Sequence, residues 1–406
     1  MGVIITIAIG GFAVNLIHGE KLNWKTIDDV GSANIVEDEI TYKYSKGETR
    51  IVTEQARYPL NTIVSMVKSG NYTLRPDFQR RHRWDNKRKS KLIESFIINV
   101  PIPPVFLYEI SYSKYEIMDG LQRISTIDDF YNDRFQLEGL DEWAELNGYH
   151  YSKLPEIIKL GIDRRYLSSI ILLQETAKDN EVALKMKQLV FERLNSGGID
   201  LSSQEIRNAI YDGKLNKLCM EKSRNEKFRK LWGIPLDVDK KNMTSDNKLY
   251  SEMEDVELIL RFFAFRQIEA WQSNVQKFFF DDYLIKGNNF EDSVLSALGN
   301  VFEKTIELIY NVFGKNAFCL YRKRKSSEKL SLNKKPSKVL YDSLMLAFCQ
   351  YLDNEPNILQ SKDSIEMEYK KLFHDKYDIF ESRFNKSDIV NRTNEIKKII
   401  EKVLGE

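Results

Sequence analysis

The chain has few of the residues that build disulfide frameworks or metal centres. Its 406 residues include only three cysteines and four histidines. Cys219, Cys319 and Cys349 lie far apart and show neither the pairing of a small secreted scaffold nor the spacing of a zinc site. We therefore expect buried, reduced thiols and a cytoplasmic location, and the scattered histidines indicate no metal site.

Several familiar catalytic motifs are also absent from the sequence. It has no Gly-rich loop ending in Gly-Lys-Ser/Thr, which excludes a P-loop NTPase. It lacks the Gly-x-Ser-x-Gly elbow of α/β-hydrolases and the His-Glu-x-x-His of zinc proteases. The second half contains a single histidine, His374, whereas a His-Asn-His-type nuclease needs a histidine base close to metal ligands.

Neither charge is in excess, because 61 basic and 60 acidic residues give a net charge of +1. The overall charge therefore indicates no polyanionic partner. Two segments, 75–91 and 321–338, are nevertheless strongly basic and could contact DNA phosphates. Their candidate DNA contacts are Arg81, Arg83, Lys87, Arg88, Arg322, Lys323, Arg324 and Lys325. The alternative is that these charges are only solvated, and Pro336 and several serines predict an exposed loop in the second segment.

Long apolar runs are missing apart from the first residues. Val3 to Ile17 is largely apolar but is interrupted by Gly10, Gly11 and Asn15. It is shorter than a membrane helix, which needs about twenty residues, and it lacks the basic start of a signal peptide. We expect a strand or helix packed on the body, or an extended start of the reading frame. A short membrane anchor is the alternative, and the remainder of the chain offers no candidate span.

The hydrophobic spacing predicts an α+β chain with three parts. Residues 1–57 form a variable lead-in, 58–215 a mixed domain with a small sheet, and 216–406 a mostly helical domain. Asp85 and Ser202 are predicted to cap the helices that follow them.

One short segment of the mixed domain carries most of the functional information. Residues 115–118 predict a strand, Asp119-Gly120 a turn, and the residues after them a helix. Asp-Gly is also a hairpin-turn signal, but a hairpin would continue with alternating strand residues. The three-to-four spacing of Leu121, Ile124 and Ile127 favours the helix.

The residue types around this turn suit a nucleotide phosphate with its metal or water. A helix start presents unpaired N–H groups, a glycine allows close approach, and an arginine can grip phosphate with two hydrogen bonds. Asp119 is the first candidate for a catalytic or metal-orienting carboxylate, and Gln122 could orient a water. Alternatively, Asp119 only caps the helix, and Arg123 forms a structural ion pair with Asp119 or Asp128.

Three ordered blocks resemble the GmrSD-type restriction endonuclease N-terminal domain family, which belongs to the ParB/sulfiredoxin-like group. Residues 119–126 are similar to its Asp-Gly-Gln-Gln-Arg-x-x-Thr signature. Residues 76–80, followed by Trp84, resemble its Phe-Gln-Arg-x-x-x-Trp motif. Residues 191–198 and 204–209 resemble its Phe-x-Arg-x-Asn-x-Gly-Gly and Gln-Glu-x-Arg blocks. Leu121 departs from the pattern, since the signature has a glutamine there.

This resemblance implies a ParB/sulfiredoxin-like mixed domain followed by a helical one, binding an NTP with Mg²⁺. It implies catalytic roles for Asp119, Gln122 and Arg123, with Asp119 also holding the metal. The nucleotide-binding residues implied are Gln79, Arg80, Gly120, Thr126 and Asn195. The plainer alternatives are a solvated basic strand at residues 79–80, a core anchor in Trp84 and a helix stop at Asn195.

We therefore expect an NTP-hydrolysing module of a restriction or phage-defence system that acts on or with DNA. Because the nuclease motif is missing, cleavage would need a partner protein. The alternative is a non-catalytic DNA-binding or adaptor protein that keeps the fold, which the Leu121 departure favours. A nuclease in its own right is the third and least favoured reading.

Overall fold

The computed structural model describes residues 5–6, 14–24, 51–73, 84–173, 180–195, 202–236, 247–272, 276–324, 327–380 and 384–405. Within these ranges the side chains of 5–6, 180–182, 184–185, 192, 194–195, 322–324 and 327–330 are not described. The chain forms two compact units, one of residues Ile27–Ile210 and one of Met1–Thr26 together with Tyr211–Glu406. No helix in the described ranges is long and apolar enough to cross a membrane.

The first residues contribute a short antiparallel pair of strands, β1 (Ile5–Thr6) and β2 (Asn15–Leu16). Val14 and Leu16 are buried, and so is Glu20. These residues belong to the unit that contains the second half of the chain. The apolar segment at residues 3–17 thus contains strands, which was one of the two structures expected for it from the sequence.

A five-stranded mixed sheet organises the unit of residues 27–210, in the order β3-β7-β5-β6-β4. The central strands β5 and β7 are parallel, β6 returns antiparallel to β5, and β3 is antiparallel to β7. The strands are β3 (Thr53–Pro59), β4 (Tyr72–Thr73), β5 (Val105–Ser111), β6 (Lys114–Asp119) and β7 (Tyr166–Leu172). Residues 53–57, which the sequence indicated as the end of a lead-in, therefore form most of an edge strand.

Six helices of this unit lie in the described ranges. They are α1 (Leu60–Lys68), α2 (Asn86–Ile98), α3 (Leu121–Tyr131), α4 (Glu156–Asp163), α5 (Asn180–Asn195) and α6 (Ser203–Ile210). The apolar stripes of α1, α2 and α3 share one core with the sheet, which includes Ile63, Ile93, Ile117 and Ile127. This burial follows from the three-to-four spacing of apolar residues along each helix.

Both predicted helix caps are confirmed. The Asp85 carboxylate accepts a hydrogen bond from the Arg88 N–H at 2.8 Å and opens α2. Ser202 and Glu205 form the reciprocal capping box before α6, with hydrogen bonds of 2.8 and 3.1 Å. Helix α2 ends at Ile98, and the capping residue Asn99 adopts the left-handed conformation with φ of 63°.

The second unit is mostly helical. Its helices are α7 (Lys214–Lys222), α8 (Glu226–Trp232), α9 (Lys248–Ser251), α10 (Glu254–Phe265), α11 (Gln276–Gly287), α12 (Asp292–Phe313), α13 (Lys338–Phe348), α14 (Glu355–Gln360), α15 (Lys362–Asp375) and α16 (Lys386–Leu404). Helices α10 and α13 are buried around most of their circumference, which explains why both are rich in large apolar residues.

The prediction of an exposed loop at residues 321–338 is wrong. Strands β8 (Cys319–Arg324) and β9 (Ser327–Pro336) pair as an antiparallel hairpin, with Tyr321 opposite Leu332. Leu330 and Leu332 alternate with polar residues in the period of a strand. The density of lysine and arginine in this segment concealed that alternation.

A buried ion pair ties the first residues to the helical unit. The Arg266 guanidinium donates two hydrogen bonds to the Glu20 carboxylate, both 2.7 Å long. Both side chains are at most 1% exposed. Gln267 adds a hydrogen bond of 2.7 Å to the Glu20 carbonyl, and Trp24 stacks on Phe279 with ring centroids 5.2 Å apart.

Candidate functional site

The predicted strand-turn-helix is confirmed. Strand β6 ends at Asp119, Gly120 has φ of 96° and ψ of 11°, and α3 begins at Leu121. A Cβ on residue 120 would lie 2.3 Å from Cγ1 of Val105. Both the left-handed backbone and this close packing require glycine, because any larger residue would be strained and would clash.

The alternative in which Arg123 pairs with Asp119 is also present in the structure. Arg123 Nη2 donates to Asp119 Oδ2 at 2.7 Å, and Nη1 donates to the Pro103 carbonyl at 2.6 Å. The Arg123 side chain is 12% exposed and the Asp119 side chain 49%. Asp128 instead pairs with Arg134 at 2.7 Å. The guanidinium is thus held in place, yet three of its five N–H groups are not used by these two contacts.

Gln122 has a defined structural partner. Its Oε1 accepts a hydrogen bond from the backbone N–H of Trp84 at 3.1 Å. The amide oxygen therefore binds the backbone that leads into α2. A contact of Gln122 with a phosphate oxygen would have to come from its Nε2, because only the amide nitrogen can donate.

A cavity of about 370 Å³ opens beside the turn. Asp119, Gly120, Gln122 and Arg123 form one polar end. Among the described residues, the rest of the lining is almost entirely apolar and consists of Trp84, Leu92, Pro101, Ile102, Pro103, Met118, Leu121 and Phe191, with a single hydroxyl from Ser95. Its volume falls within the range of about 300–1,000 Å³ that is usual for small-molecule sites.

Leu121, the departure from the signature, is one of the apolar lining residues. It is 8% exposed and packs into the core of the unit while its surface borders the cavity. An amide in this position would place two polar groups at a largely apolar wall. The cavity of this chain is therefore more apolar than the signature predicts.

Thr126 does not lie where its expected role requires. The residue is fully buried, its hydroxyl has no hydrogen-bond partner among the described residues, and it is not among the described residues that line the cavity. It lies beside Ile127 on the buried side of α3, and the nucleotide-binding role that the resemblance implies for it stays a prediction. A buried, unpaired hydroxyl is unusual because its desolvation is uncompensated.

The structure describes only some of the other residues predicted to bind nucleotide or DNA. Lys87 and Arg88 lie exposed in the first turn of α2. Asn195 is the last residue of α5, and Arg322, Lys323 and Arg324 belong to β8, but these four side chains are not described. Gln79, Arg80, Arg81, Arg83 and Lys325 lie outside the described residues.

A buried ion pair that sequence reasoning missed anchors helix α5 beside the site. Lys187 Nζ lies 2.6 Å from Glu116 Oε2, and both side chains are less than 10% exposed. The same ammonium lies 5.4 Å from the centroid of the Tyr108 ring. Burial, followed by the nearby Glu116 carboxylate, raises the pKa of Tyr108. The one available signal was a glutamate between Tyr115 and the apolar pair Ile117-Met118 of β6.

The turn offers one carboxylate that could bind Mg²⁺ together with phosphate oxygens. The described ranges contain no group of three or more histidine, cysteine or acidic residues that could hold a metal. Mg²⁺ in nucleotide sites is commonly bound by one or two carboxylates together with phosphate oxygens. Asp119, which is half exposed and held through one oxygen by Arg123, suits that role but could not hold the ion alone.

Residues 60–211 match the family model described as GmrSD restriction endonuclease, N-terminal domain. This part of the chain is a member of that family, which confirms the resemblance of the three blocks. A domain of this kind implies a component of a restriction or phage-defence system. Comparisons with curated proteins and with solved structures gave no match.

Proposed function

We propose that this chain is an NTP-hydrolysing component of a DNA restriction or phage-defence system, with the nucleotide phosphates bound at the start of α3. The observation that carries the proposal is the left-handed Gly120, which separates a carboxylate from a helix start beside a cavity. The matched family supports the proposal, because it is named after a restriction endonuclease.

The phosphate-binding groups would come from backbone and side chain together. The first N–H groups of a helix have no partner within the helix, and its dipole adds positive potential there. Gly120 has no Cβ, so a phosphate oxygen can approach the backbone closely. The Arg123 guanidinium is oriented in advance by Asp119 and by the Pro103 carbonyl, so little ordering is needed when phosphate binds.

Asp119 would act at the same phosphate. It would hold Mg²⁺ jointly with the phosphate oxygens, and the ion would neutralise charge that develops on them during hydrolysis. Its exposed side is open to solvent, where a water can reach it. We further propose that the five-stranded mixed sheet with its helices is a ParB/sulfiredoxin-like fold.

DNA and a partner protein complete the proposal. Lys87 and Arg88 are exposed and could contact DNA phosphates, as could Arg81, Arg83 and residues 322–325. The His374 side chain is 56% exposed and pairs with the adjacent Asp375 at 3.1 Å. The second half of the sequence has no other histidine to complete a His-Asn-His-type site, and we therefore propose that cleavage comes from a separate protein.

A specific observation favours a second candidate function. Arg123 already has an anionic partner at 2.7 Å, and Leu121 replaces a glutamine of the signature. Both features suit a non-catalytic DNA-binding or adaptor protein that retains the domain. In that case DNA affinity would not depend on NTP.

The deciding experiment measures phosphate release from each of the four NTPs with Mg²⁺, with and without DNA. Asp119→Asn and Arg123→Lys should each lower turnover by about 100-fold or more. Arg134→Ala is the matched control, because Arg134 follows the same helix and is 57% exposed. Undiminished turnover by folded Asp119→Asn protein would refute the site. NTP binding without turnover, or DNA binding without any response to NTP, would select the adaptor.

A further inference from the structure

The cavity beside Gly120 is larger than a phosphate needs, and the described residues of its lining are mostly apolar. Its polar end holds the groups proposed to bind phosphate, whereas Trp84, Ile102, Leu121 and Phe191 belong to its apolar lining. Phosphate gains nothing from such a surface. A flat heteroaromatic ring gains both burial and stacking.

We infer that this apolar half is the subsite for the nucleobase, with Trp84 and Phe191 as the two residues that determine its affinity. The inference rests on the proposed function, since it assigns the remainder of a nucleotide whose phosphates lie at Arg123. One molecule that carries an anionic chain and an aromatic ring is the ligand class that fits both ends.

Each aromatic residue is fixed to the strand-turn-helix that carries the phosphate site. The backbone of Trp84 is held by Gln122 Oε1 at 3.1 Å. Phe191 lies one helical turn beyond Lys187, which pairs with Glu116 on β6 at 2.6 Å. Residues four apart share a helix face, so this ion pair positions Phe191 toward the sheet. Asp119 lies three residues beyond Glu116 at the end of the same strand.

Rigid walls matter because a preformed subsite binds its ligand without first ordering itself. Phe191 is only 3% exposed, and Trp84 is half-buried against the core. Gln122 is therefore a positioning residue for the base as well as a neighbour of the phosphate. This double role gives the signature glutamine a physical function that requires no contact with water.

The test compares molecules that share the phosphates but differ in the base. Equilibrium affinities are measured with Mg²⁺ for ATP, GTP, CTP, UTP and inorganic tripolyphosphate. In the unaltered protein, the best NTP should bind at least about tenfold more tightly than tripolyphosphate, as stacking of one base implies. This comparison needs no variant and so does not depend on the folding of a mutant.

Three variants then locate the subsite. Trp84→Ala and Phe191→Leu should each weaken NTP binding by about tenfold and leave tripolyphosphate binding within about twofold. Arg123→Lys should weaken both ligands. Leu189→Ala is the matched control, because Leu189 lies on the same helix as Phe191 but is 44% exposed and does not line the cavity.

The failures of the two proposals are distinguishable. If neither NTP nor tripolyphosphate binds, the proposed function itself is refuted. If both bind equally and the two aromatic variants change nothing, the phosphate site stands and the base subsite is refuted. If Phe191→Leu weakens binding of a single-stranded oligonucleotide but not of NTP, the cavity holds a DNA base and the present inference is overturned.

Discussion

The side-chain oxygen of Gln122 accepts a hydrogen bond from the backbone N–H of Trp84, across 38 positions of sequence. These residues come from two of the three blocks that resemble the family, and both line one cavity. The hydrogen bond therefore joins a motif glutamine at a helix start to an aromatic wall. It gives the spacing between the two blocks a structural reason.

Two replacements of Gln122 should show whether its side-chain oxygen, as the acceptor for the Trp84 N–H, stabilises the protein. Gln122→Leu leaves the Trp84 N–H without its partner, which we expect to lower the free energy of unfolding by about 1–3 kcal/mol and to weaken NTP binding. Gln122→Glu keeps the oxygen and should retain most of the stability. Urea unfolding and NTP titration of both variants check this. Equal stability of the two variants would contradict the positioning role.

Gly120 should tolerate no side chain. Gly120→Ala combines a strained φ of 96° with a contact of 2.3 Å to Val105, so we expect a loss of about 2–3 kcal/mol in unfolding free energy. Gly70→Ala is the matched control, since Gly70 has φ of 75° but no neighbour within 4 Å. It should cost about 1–2 kcal/mol. Adding Val105→Ala to Gly120→Ala should remove the 2.3 Å contact with Cγ1 but not the 2.9 Å contact with the Cβ of residue 105, so it should relieve the clash only in part. The coupling between the two changes, read from a double-mutant cycle, measures the part of the close approach that Cγ1 causes.

Removing one partner of the buried Lys187–Glu116 pair should destabilise the protein more than removing both charges. Lys187→Met leaves a buried carboxylate unpaired, which typically costs about 3–5 kcal/mol, whereas Lys187→Met with Glu116→Gln should recover much of that loss. The double variant should still bind NTP more weakly than the unaltered protein, because α5 loses its anchor. Thermal unfolding and NTP titration are the readouts. If the double variant is no more stable than Lys187→Met, the unpaired charge is not the cause.

The ion pair of Glu20 and Arg266 should contribute far more than a surface pair. Glu20→Ala should lower the unfolding free energy by about 3–5 kcal/mol, because it leaves the Arg266 guanidinium buried without a counter-charge. Glu366→Ala is the control, since Glu366 and Lys370 form an exposed pair on one helix that is worth about 0.3–0.5 kcal/mol. Similar losses for both variants would contradict the burial argument.

The cysteines should be unreactive in the folded protein. All three thiols are buried, and burial raises the pKa of Cys349 to about 11 even though the Arg266 guanidinium lowers it. Ellman's reagent at about pH 8 should label none of them until guanidinium unfolds the chain. Because the folded pKa of Cys349 exceeds the unfolded value of about 8.5, its contribution to stability is complete below that pH. The contribution should decline as pH rises toward about 11.

Sequence reasoning succeeded where the cause is local. Asp85 caps the helix that begins at the next residue, Ser202 and Glu205 are three positions apart, and Asp119-Gly120 joins adjacent elements. Each of these features depends on backbone geometry within one turn of helix. The chemistry of the residue types was therefore enough to predict them.

The contacts that shape the cavity are not local. Glu116 and Lys187 are 71 positions apart, and nothing in either neighbourhood indicates the other. Thr126 was assigned from its place in a motif, whereas its burial depends on how α3 packs. Residues 327–332 contain the alternation of a strand, but the many lysines and arginines of residues 321–338 are equally typical of an exposed loop. Sequence identifies residue types and periods, and it does not show which distant side chains meet.

The Glu20–Arg266 ion pair also bears on how the protein is made. Glu20 leaves the ribosome 246 residues before the arginine that neutralises it, and the whole unit of residues 27–210 is synthesised in between. That intervening unit has its own core and can fold during translation, before the partners of the first residues have been synthesised. The helical unit can close around Glu20 only after residue 266 has emerged. The helical unit is therefore completed late in biosynthesis. A chain that lacked Glu20 would have to bury the Arg266 guanidinium without its counter-charge.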